Sequence, residues 1–217
     1  MHSPIPFLDN TLQFPDPSNS GQHGLVAAGG DLSSKRLLLA YRNGIFPWFN
    51  EDSMILWWSP DPRMVLFPEE LHISKSMKKL LDLKTFRITR NEAFSEVITS
   101  CASMVRKGET GTWITENMQT AYCELNVLGY AVSYEAWINN ELVGGLYGIE
   151  LGGVFCGESM FSKIPNASKA AFIAMVQGQQ KQGCKLIDCQ VYTPHLESLG
   201  ACPIPRAAFL EHLKELI

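Results

Sequence analysis

The run Lys185-Leu186-Ile187-Asp188-Cys189-Gln190-Val191 sets a carboxylate and a carboxamide in the middle of an apolar stretch. On a strand, residues two apart share a face, so Asp188 and Gln190 are expected to project together and Cys189 away from them. Burying one such group without a partner costs roughly 2–7 kcal/mol, so each must be satisfied by a neighbour. An aspartate at a strand end bonded to a nearby loop would meet that need without any chemistry. A second anomaly argues for more. In Phe155-Cys156-Gly157-Glu158-Ser159-Met160-Phe161 another carboxylate lies among apolar residues, beside a glycine that permits a strained or close backbone. A second polar group of this kind shifts the odds from a structural pair toward a functional site.

The elements that must bring these residues together follow from the pattern. Leu142 to Ile149 and Gly153 to Cys156 read as two strands about a Gly152-Gly153 turn. Asn166 is a candidate helix N-cap, Ala170 to Val176 carry apolar residues at helical spacing, and Gly183 suits the C-terminal end. A strand, helix, strand unit of this kind sets its two strands side by side when they run parallel, so Glu158, Asp188 and Gln190 converge at one mouth. Upstream, Ser33 to Asn43, Arg90 to Ser103 and Thr115 to Leu128 read as helices, and Ala131 to Trp137 pairs with Leu142 to Ile149 across Asn139-Asn140. Residues 44–63 are dense in Trp and Pro and end in Ser59-Pro60-Asp61-Pro62, which looks like a domain junction.

Several further segments stand in a specific order: Gly29-Gly30-Asp31-Leu32, Gly44-Ile45-Phe46-Pro47-Trp48, and Leu56-Trp57-Trp58-Ser59-Pro60-Asp61-Pro62-Arg63. Thr112-Trp113-Ile114-Thr115, Leu142-Val143-Gly144-Gly145, Phe155 through Ser162, Leu186 through Gln190, Ser198-Leu199-Gly200-Ala201 and Ile204-Pro205-Arg206 follow. Together they resemble the leucyl/phenylalanyl-tRNA–protein transferase family of the bacterial N-end rule, from about residue 24 to 210. The resemblance implies an α/β fold with a mixed sheet. A small N-terminal domain (1–62) would pack on an N-acetyltransferase-like (GNAT) catalytic domain (63–217).

The implied reaction moves Leu or Phe, and with them Met, from aminoacyl-tRNA to the α-amine of a protein that begins with Arg or Lys. No cofactor and no metal are implied, and the protein would act in the cytoplasm as a monomer. Asp188, Gln190 and Glu158 would carry the chemistry. In that reading Asp188 orients Gln190 and accommodates the amine's charge, Gln190 contacts the amine, and Glu158 orients the aminoacyl amino group or the basic acceptor residue. A proton relay from the amine through Gln190 to Asp188 is the alternative. Leu146, Met160, Phe172, Met175 and Ile187 are candidates for the wall of the side-chain pocket, with plain core the competing reading. Trp48 and Trp113 are candidates to flank the terminal adenosine, while Trp57 and Trp58 are expected to pack the junction. Lys163 stands where an arginine is frequent, keeping charge without bidentate geometry.

Net charge is −4, an odd value for a tRNA partner, but residues 71–110 hold eight basic and four acidic side chains, which leaves the rest of the chain at −8. Lys75, Lys78 and Lys79 fall on one side of a short predicted helix, with Lys84, Arg106 and Lys107 nearby. A solvated face is the plain reading. The resemblance makes Lys75, Lys78, Lys79 and Lys84 contacts for the tRNA backbone.

Hydrophobic content of 46% with 18% charged residues excludes wholesale disorder. No apolar run is long enough for a membrane span, and the first residues show no secretory signal. The six cysteines form no C-x-x-C pair and are expected to be reduced thiols. An acyl-CoA enzyme would need a glycine-rich turn ahead of the helix, but Ser162-Lys163-Ile164-Pro165-Asn166-Ala167 lacks the glycines and Pro165 lacks the donor. Cys184, Cys189 and His195 do not share a strand face, which argues against a zinc or thiol site. His195 is expected as a helix-start or core residue. A tRNA-binding module without turnover remains the non-catalytic alternative.

Overall fold

The computed structural model describes residues 5–21, 23–51, 53–104 and 112–217. A four-stranded sheet comes first in the chain. It contains β1 (Phe7–Leu8), β2 (Leu25–Gly29), β3 (Phe46–Pro47) and β4 (Leu56–Trp58), in the order β1-β2-β4-β3, with α1 (Ser34–Arg42) between β2 and β3. A seven-stranded sheet then takes β5 (Arg63–Leu66), β6 (Arg87–Arg90), β7 (Ala131–Ile138), β8 (Glu141–Leu151), β9 (Val154–Ser162), β10 (Leu186–Gln190) and β11 (Cys202–Ile204). Its order is β11-β5-β10-β9-β8-β7-β6. Helices α2 (Lys75–Asp82), α3 (Phe94–Ala102), α4 (Glu116–Val127), α5 (Ala167–Lys181), α6 (Pro194–Glu197) and α7 (Arg206–Leu216) connect and cover it. This is the mixed α/β class expected from the sequence.

Local chemistry explains where the elements begin and turn. Ser33, Ser74 and Thr115 start α1, α2 and α4 by accepting from the amides of Arg36, Met77 and Met118. Asn139 and Asn140, both with positive φ, make the tight turn of the β7–β8 hairpin. Two expectations need correction. The helix expected from Arg90 starts only at Phe94, because Thr89 and Arg90 pair with Glu135 and Tyr134 of β7 and left-handed Asn91 ends the strand. Asn166 occupies the N-cap position of α5 with φ of 69° but makes no capping bond; the Ser162 hydroxyl takes the Ser168 amide instead.

Two apolar cores flank the large sheet. One gathers α1, α3, α4, α7 and the small sheet, with Trp57, Tyr41, Tyr122, Leu186 and Phe209 inside it. The other packs α2 and α5 against the opposite face, around Phe155, Phe172, Ile173, Met175 and Ile187. In the described part of the sheet β9 and β10 are the parallel neighbours, joined by α5 as the sequence predicts. Register slips twice beside this pair: between Tyr147 and Gly148 on β8 opposite Gly157–Ser159, and between Asp188 and Gln190 on β10. Gly148 is required at the first slip, since a Cβ there would lie 2.3 Å from the Cys156 carbonyl oxygen.

Candidate active site

A cavity of about 390 Å³ is lined by β9 and by the end of β10, just beyond their last paired residues Cys156 and Asp188, with the β3 segment also in its wall. Its apolar lining includes Leu146, Met160, Phe172, Met175 and Ile187, all five of the predicted pocket residues, together with Phe155 and Cys189. Trp48 and Trp113, expected at the adenosine, also line it. Trp48 is 45% exposed, and its carbonyl accepts from the Trp58 indole at 2.7 Å, so Trp58 fixes the backbone of a cavity residue. Trp57 is fully buried and donates to the Gly29 carbonyl.

The polar wall is built by Glu158 and Gln190. Gln190 Nε2 donates to Glu158 Oε1 at 2.8 Å, and the Tyr122 hydroxyl donates to Glu158 Oε2 at 2.8 Å. Tyr122 in turn bonds the Tyr41 hydroxyl, so α1 and α4 both support this carboxylate. Burial pushes Glu158 up to about 7, although the hydrogen bonds from Tyr41, Tyr122 and Gln190 pull the other way and the Asp188 charge adds to the rise. Both tyrosines are pushed well above their usual value, first by burial and then by the Glu158 charge, and remain donors at neutral pH.

Asp188 differs from expectation. It does not line the cavity and does not project beside Gln190. The slip after Asp188 and the left-handed Gln190, φ 63°, break the two-residue alternation, so Cys189 and Gln190 both reach the cavity wall. Asp188 is 1% exposed and holds Arg63 in a bidentate pair, Nε to Oδ1 at 2.8 Å and Nη2 to Oδ2 at 2.7 Å. Its Oδ1 also accepts from the Gln190 amide at 2.9 Å. The guanidinium supplies the countercharge that a buried carboxylate requires. It also lies between two rings, 4.8 Å from the Phe46 centroid and 4.5 Å from that of Phe209.

Sequence reasoning missed three of these partners. Arg63 carried a signal, since it opens the otherwise apolar strand Arg63-Met64-Val65-Leu66 and so repeats the anomaly of Asp188. Tyr41 and Tyr122 gave almost none: a tyrosine on the apolar stripe of a helix is ordinary.

His195 sits in α6 and half-buried at the cavity wall, with burial and Lys169 lowering its pKa. Burial pushes the Cys189 and Cys156 thiols up, which leaves them un-ionised at neutral pH. Among the described residues no group of three His, Cys, Asp or Glu side chains is placed to hold a metal, and no helix is long and apolar enough to cross a membrane. Away from the cavity, Lys75, Lys78, Lys79 and Lys84 are exposed, with Met77 as the buried side of α2. Arg87 and Arg90 of the same basic segment are paired with Glu92 and Glu150. Arg106, Lys107 and Glu109 lie outside the described residues.

Comparison with known proteins gives this arrangement a family. A profile described as Leucyl/phenylalanyl-tRNA protein transferase matches residues 65–214, and one for the N-terminal domain of the same family matches 30–61. The chain is 57% identical over 208 residues to a leucyl/phenylalanyl-tRNA–protein transferase of Flavobacterium johnsoniae, covering 96% of this chain and 98% of that protein. It is 54% identical over 205 residues to the protein of the same name from Yersinia pestis strain Pestoides F, covering 94% and 86%. Likeness to solved structures is weak. L-PGS from Bacillus licheniformis gives a TM-score of 0.39 at 14% identity, covering 82% of this chain and 61% of that one. A GCN5-related N-acetyltransferase from Kribbella flavida gives 0.37 at 11%, covering 76% and 59%. With family profiles matched over 30–61 and 65–214 and identity above one half over nearly its whole length, this chain belongs to the leucyl/phenylalanyl-tRNA–protein transferase family and is an aminoacyltransferase.

Proposed function

We propose that the chain transfers Leu or Phe, and Met as a third substrate, from aminoacyl-tRNA to the α-amine of proteins that begin with Arg or Lys, marking them for N-end rule degradation in the cytoplasm. One observation carries this reading: the cavity joins a largely apolar lining to a polar wall in which Glu158 and Gln190 are hydrogen-bonded to each other. The apolar lining suits an amino-acid side chain with an unbranched Cβ. A second Cβ substituent would overpack a rigid wall at a cost of about 1–3 kcal/mol, which separates Leu and Phe from Ile and Val.

The substrate ester is already activated, so the protein has to position two reactants and manage one proton. The acceptor α-amine, with a reference pKa of about 7.7–8.0, attacks the ester carbonyl carbon. The new C–N bond forms, the C–O bond to the terminal ribose breaks, one proton leaves nitrogen and one arrives on the ribose oxygen. Gln190 uses its Nε2 on Glu158, so its carboxamide oxygen is the acceptor offered to the amine. Glu158, poised near neutrality at the cavity wall, takes the proton and returns it to the leaving oxygen. Asp188 holds the Gln190 amide from behind and is a positioning residue in this reading.

Trp48 and Trp113 offer faces for the terminal adenine. The exposed lysines of α2 and Lys84 face phosphates, and the −8 charge of the remaining chain favours a cationic acceptor terminus. The test is transfer of radiolabelled Leu from Leu-tRNA to a reporter beginning with Arg, beside the same reporter beginning with Glu. Label on the Arg reporter alone, lost with Glu158→Gln, is expected. Label on the Glu reporter, or none with intact tRNA binding, would contradict the reading.

A further inference from the structure

We infer that Arg63 is a positioning residue for the transfer reaction: its bidentate grip on Asp188 fixes the left-handed Gln190 backbone that delivers the Gln190 carboxamide to Glu158. The inference rests on the proposed transfer and adds a residue that touches no substrate.

The geometry forms one chain of contacts. Arg63 Nε and Nη2 each hold one oxygen of Asp188, leaving that carboxylate a single orientation. Asp188 Oδ1, so oriented, accepts from the Gln190 amide. That bond spans the register slip of β10, where Gln190 takes a φ of 63°, a conformation that side chains other than glycine rarely adopt. A local outlier of this kind persists only where its surroundings over-determine it, and the Arg63–Asp188 pair is the surrounding that does so. With the backbone held there, Gln190 Nε2 reaches Glu158 Oε1. Were the backbone to relax to an extended conformation, the carboxamide would leave the Glu158 side.

Arg63 itself is held from two directions. Phe46, which also lines the cavity, covers one side of the guanidinium, and Phe209 of α7 covers another. Nη1 is buried and has no partner among the described residues, so the guanidinium is committed to Asp188 through its other two nitrogens. Lysine at position 63 would keep the charge but could hold only one carboxylate geometry loosely.

The experiment measures kcat and KM for aminoacyl-tRNA and for the Arg reporter with wild-type protein, Arg63→Lys, Gln190→Gly and the double variant, each with its melting temperature recorded. The expected result is a loss of about 10-fold or more in kcat for Arg63→Lys, with KM values within about 3-fold. That loss should vanish in the Gln190→Gly background, where glycine adopts the positive φ freely and no carboxamide remains to be aimed. An equal fold-loss in both backgrounds, or an Arg63→Lys enzyme with wild-type kcat, overturns the inference. Should Arg63→Lys fail to fold, Asp188→Asn takes its place with the pH profile of kcat as readout. The groups facing Glu158 are Tyr41 from α1, Tyr122 from α4, and Gln190 and Asp188 from β10. The expected profile keeps an inflection at reduced kcat, moved below 7 because the Asp188 charge no longer raises Glu158; an unchanged kcat, or loss of the inflection, would overturn the inference. A wild-type enzyme that transfers no label would instead remove the transfer reading itself.

Discussion

Strands β9 and β10 each carry one carboxylate, and the fold treats the two in opposite ways. On β10, Asp188 is closed off, faces a guanidinium and accepts three hydrogen bonds, two from Arg63 and one from a backbone amide. On β9, Glu158 lines the cavity and is given only neutral donors, the Tyr122 and Tyr41 hydroxyls and a carboxamide. A cationic partner spends a carboxylate on structure, whereas neutral donors in a buried setting leave it able to exchange a proton near pH 7. Under the proposed transfer the difference gives one acid a positioning role and the other the proton, although both looked alike as polar residues in apolar strands.

The largest expected effect breaks the scaffold side. Asp188→Ala leaves Arg63 buried and unpaired, and should lower folding stability by about 3–5 kcal/mol in denaturant titrations, with transfer falling alongside. A loss below 1 kcal/mol would mean that the pair is not structural.

Glu158→Gln should do the reverse: the protein stays folded while kcat drops about 10²- to 10³-fold. In the wild type the rate should rise with pH through about 7, because the proton-accepting form is the deprotonated one. The Gln variant should keep only the limb of the acceptor amine near 8. Stability carries the opposite sign. A carboxyl whose folded pKa lies above its unfolded value binds its proton more tightly when folded, so its contribution to stability falls as pH rises from about 4.5 through about 7. Glu158→Gln should flatten that slope in denaturation curves.

Two smaller effects sharpen the contrast by leaving both carboxylates alone. Trp48→Ala removes an exposed ring at the cavity and should raise KM for aminoacyl-tRNA by the equivalent of about 1–3 kcal/mol, with the inflection near 7 unmoved. Replacing Lys75, Lys78 and Lys79 by Gln should flatten the log–log salt dependence of tRNA binding by about 0.7–0.9 per lost phosphate contact, read from binding titrations. A shift in the pH inflection in either variant would tie substrate binding to the carboxylates in a way the geometry does not contain.

The strand–helix–strand unit, the Asn139-Asn140 hairpin and the Ser33 and Thr115 starts were legible because each rests on residues close in sequence. The cavity wall was legible through the family pattern, which carried Leu146, Met160, Phe172, Met175 and Ile187 to one place. What escaped was non-local or broke a period. Arg63 and Asp188 lie 125 residues apart, and no local pattern links them. Tyr41 and Tyr122 come from two helices and meet Glu158 only through packing. The slip after Asp188 defeats any argument from alternation, because one extra residue moves every later side chain to the other face.

The most direct test of the division between the two acids is a carbon-13 carboxyl NMR titration of the free enzyme, with Glu158 assigned by its loss in Glu158→Gln. The account predicts that the Glu158 resonance titrates near pH 7. A Glu158 resonance that titrates at the ordinary glutamate value of about 4.3 would contradict it.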